Sequence, residues 1–380
     1  MQKTCEDSYS TTFCSFKDMQ RYHEDLTSES QWIRCKINEL HIEPLDQASS
    51  LYGTPSSFAP GVSTEAVEDT AQNLGLAMRI GSDYYPIRTT AYKSLLARAK
   101  IGGTVLPKLS REKLARTLND CLAIYSSEAL LLIRDEKVSA AHSGNPVDYS
   151  VLPIDELLKA LTRKLDDRFS GSEFQSGYSD HALTSASWTM PGQKEELLDA
   201  YEKVLIAQGK TTMASKLMPG IRFVTSDVGV ASAKVSALLM GTQYPIHIGG
   251  CVAVDHCNQA KVENFEDVLD QLFAQFQDSV GKLQKLLDIP LAYPINAMTR
   301  VCKSLSLPKK AAVEAIAMYE MAYGDGPSTA HDVFMAMQEI PYIMKAEHTS
   351  EDKLLRLEEN MARALTLRWS DYDLAKAVSY

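Results

Sequence analysis

Nine cations lie in one short stretch of the chain, and they are its strongest chemical signal. The stretch runs from Arg79 to Arg116, where only Asp83 and Glu112 oppose the cations, so it carries a net charge of +7. Because the whole chain carries −10, the remainder carries −17. A local basic surface on an otherwise acidic protein indicates a site for an anionic ligand.

Tyrosines alternate with these cations. Single-stranded nucleic acid is bound by this combination, since aromatic rings stack on bases for about 1–3 kcal/mol each while Lys and Arg neutralise the phosphates. The alternative is that Tyr85 and Ile87 belong to the core and that the cations only solubilise two helices. The residues that we expect on a nucleic-acid-binding surface are Tyr84, Tyr85, Arg88, Tyr92, Lys93, Arg98 and Lys100.

Potential zinc ligands cluster within eleven residues, at His247, Cys251, His256 and Cys257. Their spacing differs from the CxxC and HxxxH pairs of common zinc sites. A strand through His247 would also alternate its side chains between two faces. We therefore expect no metal site, and we interpret these residues as ordinary strand and turn positions.

Catalytic motifs are not recognisable. The triplet Gly209-Lys210-Thr211 resembles the end of a phosphate-binding loop, but Val204 occupies the position of the first glycine. Neither GxSxG nor a GxGxxG after a strand occurs. The dyad Asp180-His181 would point to opposite faces of a strand, and Asp166-Asp167 lies on a predicted solvated helix face. The sequence predicts no catalytic residue, no cofactor and a non-enzymatic protein.

The basic residues are placed by a helix predicted over 90–100. In that helix Leu95, Leu96 and Ala99 turn inward, while Lys93 and Lys100 are seven residues apart and share a face. Arg88 precedes the helix at the end of a strand. The sequence therefore predicts that Arg88, Lys93 and Lys100 are exposed.

The chain divides into three regions. Residues 1–77 are rich in turn-forming residues and predict a peripheral, partly irregular segment. Residues 78–258 mix helices with strands, and the alternation over 230–237 predicts half-buried antiparallel sheet. Residues 259–380 are helical, beginning with one long helix over 265–287. The fold class is α+β, with a mixed, largely antiparallel sheet, packed helices and an all-helical C-terminal region.

Composition limits the class of protein. Hydrophobic residues make up 45% and charged residues 23%, which excludes collagen-like, coiled-coil and wholly disordered chains. No stretch approaches the roughly 18 apolar residues of a membrane span. The seven cysteines are scattered, which argues against a secreted disulfide framework, and the N-terminus lacks the apolar run of a signal peptide. We expect a cytoplasmic protein without a membrane partner.

Two longer segments carry a family resemblance. Residues 79–92 resemble the stretch of phage/plasmid-like proteins in which Tyr and Pro-Val/Ile precede Ala-Phe/Tyr. Residues 222–237 are similar to that family's strand, Ser/Asp-Gly turn and small-residue strand. One departure is that the turn reads Asp227-Val228-Gly229 here.

Two shorter motifs extend the resemblance over residues 75–370. Ile248-Gly-Gly-Cys251 lies where the family tends to place a cysteine after a strand, and the Leu-Pro-Lys-Lys break begins at Leu307. The resemblance implies an origin in prophages or conjugative plasmids. It supplies no activity and no active-site residues.

Two functions remain open from the sequence. The first is a phage or plasmid protein that binds, anneals or protects single-stranded DNA. Amphipathic faces of its acidic helical tail could supply the subunit contacts of a homo-oligomer. The second is an anti-defence inhibitor that offers acidic surfaces to a host defence nuclease in place of nucleic acid. Its acidic clusters would be Glu65/Glu68/Asp69, Glu263/Glu266/Asp267 and Glu351/Asp352/Glu358/Glu359.

Overall fold

A computed structural model describes residues 3–241 and 244–380. The strands are β1 (Ser10–Phe13), β2 (Gln31–Lys36), β3 (His41–Pro44), β4 (Leu76–Ile80), β5 (Asp83–Pro86), β6 (Glu128–Arg134), β7 (Lys137–Ser143), β8 (Glu173–Asp180), β9 (Thr184–Thr189), β10 (Met218–Thr225), β11 (Ala233–Met240), β12 (Ile246–Val254), β13 (Pro290–Leu291) and β14 (Ser328–Thr329).

Helices cover both halves of the chain and dominate its C-terminal third. They are α1 (Phe16–Glu29), α2 (Thr64–Gln72), α3 (Ala91–Ala99), α4 (Arg111–Leu122), α5 (Ile154–Arg168), α6 (Lys194–Ala207), α7 (Thr211–Lys216), α8 (Val262–Leu269), α9 (Leu272–Lys285), α10 (Pro294–Ser304), α11 (Lys309–Tyr323), α12 (Ala330–Met337), α13 (Glu339–Ala346) and α14 (Glu351–Ala362). The α+β prediction is confirmed. Within the described ranges, no helix combines the length and apolar character that crossing a bilayer would require.

The largest sheet has six antiparallel strands in the order β1-β8-β9-β10-β11-β12. The alternation predicted over 230–237 is observed from Ala233, where β11 begins: Ala233, Val235 and Ala237 are fully buried in the main core, which α8 and α9 share. The opposite face carries Arg222 and Lys234, which pair with carboxylates of α14. Helices therefore cover both faces of the sheet.

Two three-stranded antiparallel sheets, β2-β6-β7 and β3-β4-β5, surround a second core that also includes α3 and α4. The β6–β7 hairpin turns at Asp135 and Glu136, which both have positive φ, 48° and 68°. This conformation usually favours Asn or Gly. Here the Glu136 carboxylate accepts hydrogen bonds from the Ser63 amide at 2.7 Å and its hydroxyl at 2.5 Å, and these contacts stabilise the turn.

The N-terminal region corrects one expectation. Residues 1–77 were expected to be peripheral, but β1 pairs with β8, β2 with β6 and β3 with β4. The partner strand is more than 160 residues away for β1 and more than 90 residues away for β2, which local composition does not reveal. The segment is an integral part of three sheets.

The expected separation of a core domain from a C-terminal helical domain at residue 258 does not match the packing. One hydrophobic core contains residues from both sides of that position, including Phe223 and Phe265, whose rings lie 5.8 Å apart edge to face. The long helix expected over 265–287 is also two helices, α8 and α9, because the chain bends at Asp270 and Gln271.

Candidate basic cleft

Two adjoining depressions beside α3 form what we call the basic cleft. An inner pocket of about 280 Å³ lies between α3, the end of β7, the turn at 228–230 and α14. An outer groove of about 650 Å³ continues from it toward β2 and the start of β6. Arg98, Ser143 and Asp148 line both, so the two depressions form one concave surface.

Two hydroxyl groups hold α3 against β7. The Thr90 hydroxyl donates to the Ser139 carbonyl at 2.8 Å. The Ser94 hydroxyl accepts from the Ala141 amide at 2.8 Å and donates to the Ala91 carbonyl at 2.9 Å. Because Leu95 and Ala99 are also buried, the opposite side of α3 is directed toward the cleft. The predicted helix is confirmed, with Leu95 and Ala99 buried and Leu96 half-buried.

A pair of stacked rings forms the floor of the inner pocket. The ring centroids of His142 and Tyr149 are 3.5 Å apart, and the planes differ by 2°. His142 Nε2 and the Tyr149 hydroxyl both lie 2.8 Å from the Asp227 carbonyl oxygen, to which they donate. The Asp227 carboxylate in turn binds Arg134 at 2.6 Å. These bonds fix the turn that begins at Asp227 beside the cleft.

Burial sets the protonation state of this floor. Desolvation lowers the pKa of His142 to about 4, although the Asp227 carbonyl and carboxylate oppose the shift. Desolvation also raises the pKa of Tyr149 above its usual value. His142 is therefore neutral and Tyr149 keeps its proton at pH 7, so the floor contributes hydrogen-bonding groups and no net charge.

Arg356 reaches the inner pocket from a distant part of the chain. Its helix, α14, is attached to the large sheet by two ion pairs, Arg222 with Glu358 and Lys234 with Glu359. Glu358 is buried and also accepts a hydrogen bond from the Tyr244 hydroxyl at 2.5 Å. These contacts orient α14 so that the exposed Arg356 lines the pocket.

Positive charge exceeds negative charge along the cleft. The inner pocket is lined by Lys93, Arg98 and Arg356 against the single carboxylate of Asp148. In the ranges that the structure describes, none of these three cations forms an ion pair. Asp148 is itself hydrogen bonded by the Ser143 hydroxyl at 2.9 Å. The inner pocket therefore carries a net charge of +2 that the protein leaves without a partner.

The outer groove adds two cations that have other contacts. Arg34 lies 3.7 Å from Glu128, and its guanidinium also donates to the Gly144 carbonyl. The Lys100 ammonium lies 4.5 Å from the centroid of the Tyr125 ring. Lys100 directly follows α3 with a left-handed φ of 51°. The groove is less basic than the inner pocket because Glu128 offsets part of its charge.

The structure corrects the expected exposure of Arg88. Its side chain is 0% exposed, and its guanidinium lies 3.6 Å from the Asp7 carboxylate and donates to the Glu6 carbonyl at 3.3 Å. Lys137, also 0% exposed, lies 3.1 Å from Asp7 and binds Asp69. We call Arg88, Lys137, Asp7 and Asp69 the N-terminal ion cluster. Arg88 belongs to it, and not to the cleft, because the N-terminal segment covers its side chain.

Asp7 is held firmly within the N-terminal ion cluster. The Thr89 amide donates to its carboxylate at 2.9 Å and the Thr89 hydroxyl at 2.5 Å. Burial alone would raise the pKa of Asp7, but Lys137, Thr89 and Arg88 lower it below its usual value. Asp7 is therefore ionised at pH 7, and it neutralises Arg88, which the sequence alone predicted to be exposed.

The three tyrosines expected to stack on bases are packed instead against the protein. Tyr84 packs against the small cluster that contains Phe58 and Val67, while Tyr85 and Tyr92 pack against the second core. Each is half-buried. Burial raises the pKa of both Tyr85 and Tyr92. The alternative interpretation, in which Tyr85 belongs to the core, therefore agrees better with the structure. None of the three tyrosines lines the cleft.

The structure brings together Lys93, Arg98 and Lys100 of the predicted set, and it adds Arg34 and Arg356. Sequence reasoning missed both additions. One weak indication for Arg34 is its position two residues after Trp32 on a strand, which places both side chains on the same face. Arg356 lies among carboxylates in the sequence and had no signal, because only the docking of α14 brings it to the cleft.

The potential zinc ligands do not converge. His247 and His256 are buried, Cys251 is exposed and Cys257 is half-buried. Desolvation lowers the pKa of His247 to about 3. Over residues 3–241 and 244–380, no group of three or more His, Cys, Asp or Glu side chains is arranged to hold a metal ion.

Several carboxylates of the acidic clusters are used inside the fold. Glu65 pairs with Lys3 at 2.6 Å, Asp69 with Lys137, and Glu266 with Arg163 at 2.5 Å. Glu358 and Glu359 hold α14 to the sheet, as described above. These pairs reduce the charge that the three clusters present to an external partner.

A comparison of the chain with protein-family models, with curated proteins and with solved structures finds no match. The phage/plasmid-like resemblance therefore stays a prediction.

Proposed function

We propose that this protein binds a single strand of nucleic acid through its phosphates, in the basic cleft and without reading base sequence. The observation that supports it most is the convergence of Lys93, Arg98 and Arg356 on one pocket without ion-pair partners. Cations that lack an internal partner favour an external anion, and phosphate contacts supply most non-specific nucleic-acid affinity.

The form of the cleft supports a strand over a duplex. Pockets of roughly 300–1,000 Å³ hold ligands of drug-like size, and the two depressions measure about 280 and 650 Å³. They accommodate a short stretch of a single strand. Lys93 and Arg98 are separated by about 7.5 Å along the axis of α3, so the cations of this helix can contact neighbouring phosphates.

Base stacking has little part in this proposal. Tyr84, Tyr85 and Tyr92 pack against the protein, and the rings of His142 and Tyr149 are occupied by each other. Binding should therefore depend strongly on salt and weakly on base composition. An origin in a mobile element, as the family resemblance implies, agrees with this function but does not carry the argument.

The test is a fluorescence-anisotropy titration of a labelled single-stranded oligonucleotide at about 50 and about 200 mM salt. The variant combines Lys93→Gln, Arg98→Gln and Arg356→Gln, and the matched control combines Lys108→Gln, Lys113→Gln and Arg116→Gln from the same basic segment. The cleft variant should lose at least about tenfold in affinity, and its salt slope should fall by about 3. The control should bind nearly as the parent does.

Three outcomes would reject the proposal. One is undetectable binding by the parent at low salt, and another is an equal loss in the cleft variant and the control, which would indicate a diffuse charge effect. The third is a stoichiometric protein partner that survives nuclease treatment in a pull-down and needs the acidic clusters, which would favour the inhibitor alternative.

A further inference from the structure

A groove lined by methionines and tyrosines lies on the C-terminal helices, apart from the basic cleft. Its volume is about 480 Å³, and it runs between α11 and α12 with α7 at one side. We call it the methionine groove. Its main apolar side chains are Met213, Met318, Tyr319, Tyr323 and Met335.

Polar contacts hold the base of the methionine groove in place. The Tyr201 hydroxyl lies 2.6 Å from His331 Nε2, and both side chains are fully buried. The next residue, Asp332, binds the Lys210 ammonium and accepts from the Thr329 hydroxyl at 2.8 Å. The positions of α7 and α12 are thereby linked, so the groove is formed before anything binds.

Apolar side chains are left uncovered along this groove. The described residues include eleven large hydrophobic side chains that are exposed, and four of them lie on α11. Of these four, Met318 and Tyr323 line the groove, and they are 38% and 73% exposed. Exposed apolar groups are ordinary when single, but a concentration on one helix beside a groove marks an interaction surface.

Carboxylates lie in the groove and on the adjoining parts of α11. Glu314 and Glu320 project from α11, Asp325 follows that helix, and Glu339 lines the groove. Within the described ranges none of these four forms an ion pair. Lys210, the cation that lines the groove, is already bound to Asp332. The rim of the methionine groove is therefore acidic.

The negative charge beside the methionine groove determines which kind of partner can bind there. A symmetric contact between two copies of the chain would bring the same carboxylates face to face, which is unfavourable. An amphipathic helix lays its apolar side chains into a groove at helical spacing, and methionines adapt well to such partners. Basic residues beside that apolar stripe would complement the acidic rim.

We propose that the methionine groove docks a basic amphipathic helix of another protein. The apolar stripe of that helix contacts Met318, Tyr323 and Met335, and its Lys or Arg residues contact the carboxylates of Glu320 and Glu339. This inference is independent of nucleic-acid binding, because it uses a different surface and the opposite charge.

The probe for this surface is a designed amphipathic helical peptide of Leu and Lys with a fluorescent label. Its comparators are a Leu/Glu peptide with the same pattern, and a Leu/Lys peptide of the same composition with the pattern scrambled. The groove variant combines Met318→Ser with Tyr323→Ser, two exposed residues that line the groove. The matched control combines Val105→Ser with Ile124→Ser, which are also exposed, at 66% and 73%, but lie elsewhere.

The patterned Leu/Lys peptide should bind at least about tenfold more tightly than either comparator, as expected when apolar anchors and charge act together. The groove variant should lose about that factor while the control keeps parental affinity. A variant with Glu320→Gln and Glu339→Gln should bind more weakly and show a reduced salt dependence. Oligonucleotide binding should be unchanged in every groove variant.

Four results would overturn the proposal. They are no binding of the patterned peptide, equal binding of the scrambled or acidic peptide, equal loss in the groove and control variants, and a parental dimer in sedimentation that the groove variant converts to monomer. The last result would assign the surface to a second copy of the chain.

Discussion

Arg88 and Arg98 lie ten residues apart in the same basic segment, yet the protein uses them in opposite ways. Arg88 is fully buried in the N-terminal ion cluster, where Asp7 neutralises it. Arg98 is half-buried at the junction of the two cleft depressions and forms no ion pair within the described residues. The comparison teaches that a basic segment is a binding surface only where the fold leaves its cations unpaired.

The largest expected difference between these two sites concerns stability. Arg88→Met would leave Asp7 in a buried site with one fewer cation, and breaking a buried ion pair costs about 3–5 kcal/mol. Chemical denaturation measures this loss. Lys93→Met serves as the control and should change the free energy of unfolding by less than about 0.5 kcal/mol.

A double variant sharpens that measurement. Arg88→Met combined with Asp7→Asn removes both charges, so it should recover part of the lost stability in a double-mutant cycle. A loss below about 1 kcal/mol for Arg88→Met alone would show that the N-terminal ion cluster is not an anchor.

The second-largest expected effect is a loss of folding stability in acid, which arises in the N-terminal region. His181 donates to the Glu6 carbonyl at 2.9 Å, and desolvation lowers its pKa to about 3. In the unfolded chain a histidine binds a proton near pH 6.5, so stability is fully present above that pH and declines as the pH falls toward 3. At about pH 5 the titration of His181 should have lowered the free energy of unfolding by about 2 kcal/mol.

A substitution separates the contribution of His181 from those of the other titrating groups. His181→Gln keeps an amide donor for the Glu6 carbonyl but cannot bind a proton. The free energy of unfolding should therefore fall about 2 kcal/mol less between about pH 7 and about pH 5 in the variant than in the parent. Identical pH profiles would mean that His181 titrates normally in the folded protein.

Replacing Arg356 is expected to weaken oligonucleotide binding without lowering the stability of the fold. It is exposed and lines the inner pocket. Arg356→Gln should lower the salt slope of oligonucleotide binding by about 1 and weaken binding several-fold. Its control is Arg363→Gln, a neighbouring cation outside the cleft, which should leave the slope unchanged. A stability loss above about 1 kcal/mol would instead place Arg356 among the structural ion pairs.

The smallest expected effect is the response of binding to mild acid. Since the pKa of His142 is lowered to about 4, this residue stays neutral at pH 6 and adds no charge to the cleft. Oligonucleotide affinity measured at constant salt should change less than about twofold between about pH 8 and about pH 6. A rise of tenfold over this range would show that a histidine of the cleft becomes protonated and contacts phosphate.

Local sequence patterns determined much of the secondary structure. The regular spacing of Leu114, Leu118 and Leu122 predicts α4, and Ser110 caps it by accepting from the Lys113 amide. Strand alternation likewise predicts the buried face of β11. These features follow from contacts between near neighbours in the chain, so they can be read from the sequence.

The basic segment and its helix were also determined by the sequence alone, but the tertiary structure decided which cations remain free. Lys137 meets Asp7 across 130 positions, and Arg356 reaches the cleft through the docking of α14, in which Glu358 pairs with Arg222 across 136 positions. Electrostatic neutralisation depends on distance in space and on burial, and neither is encoded by neighbours in the chain. For that reason the sequence identified the charge, and the packing of distant elements selected Lys93, Arg98 and Arg356 as the cations available to a ligand.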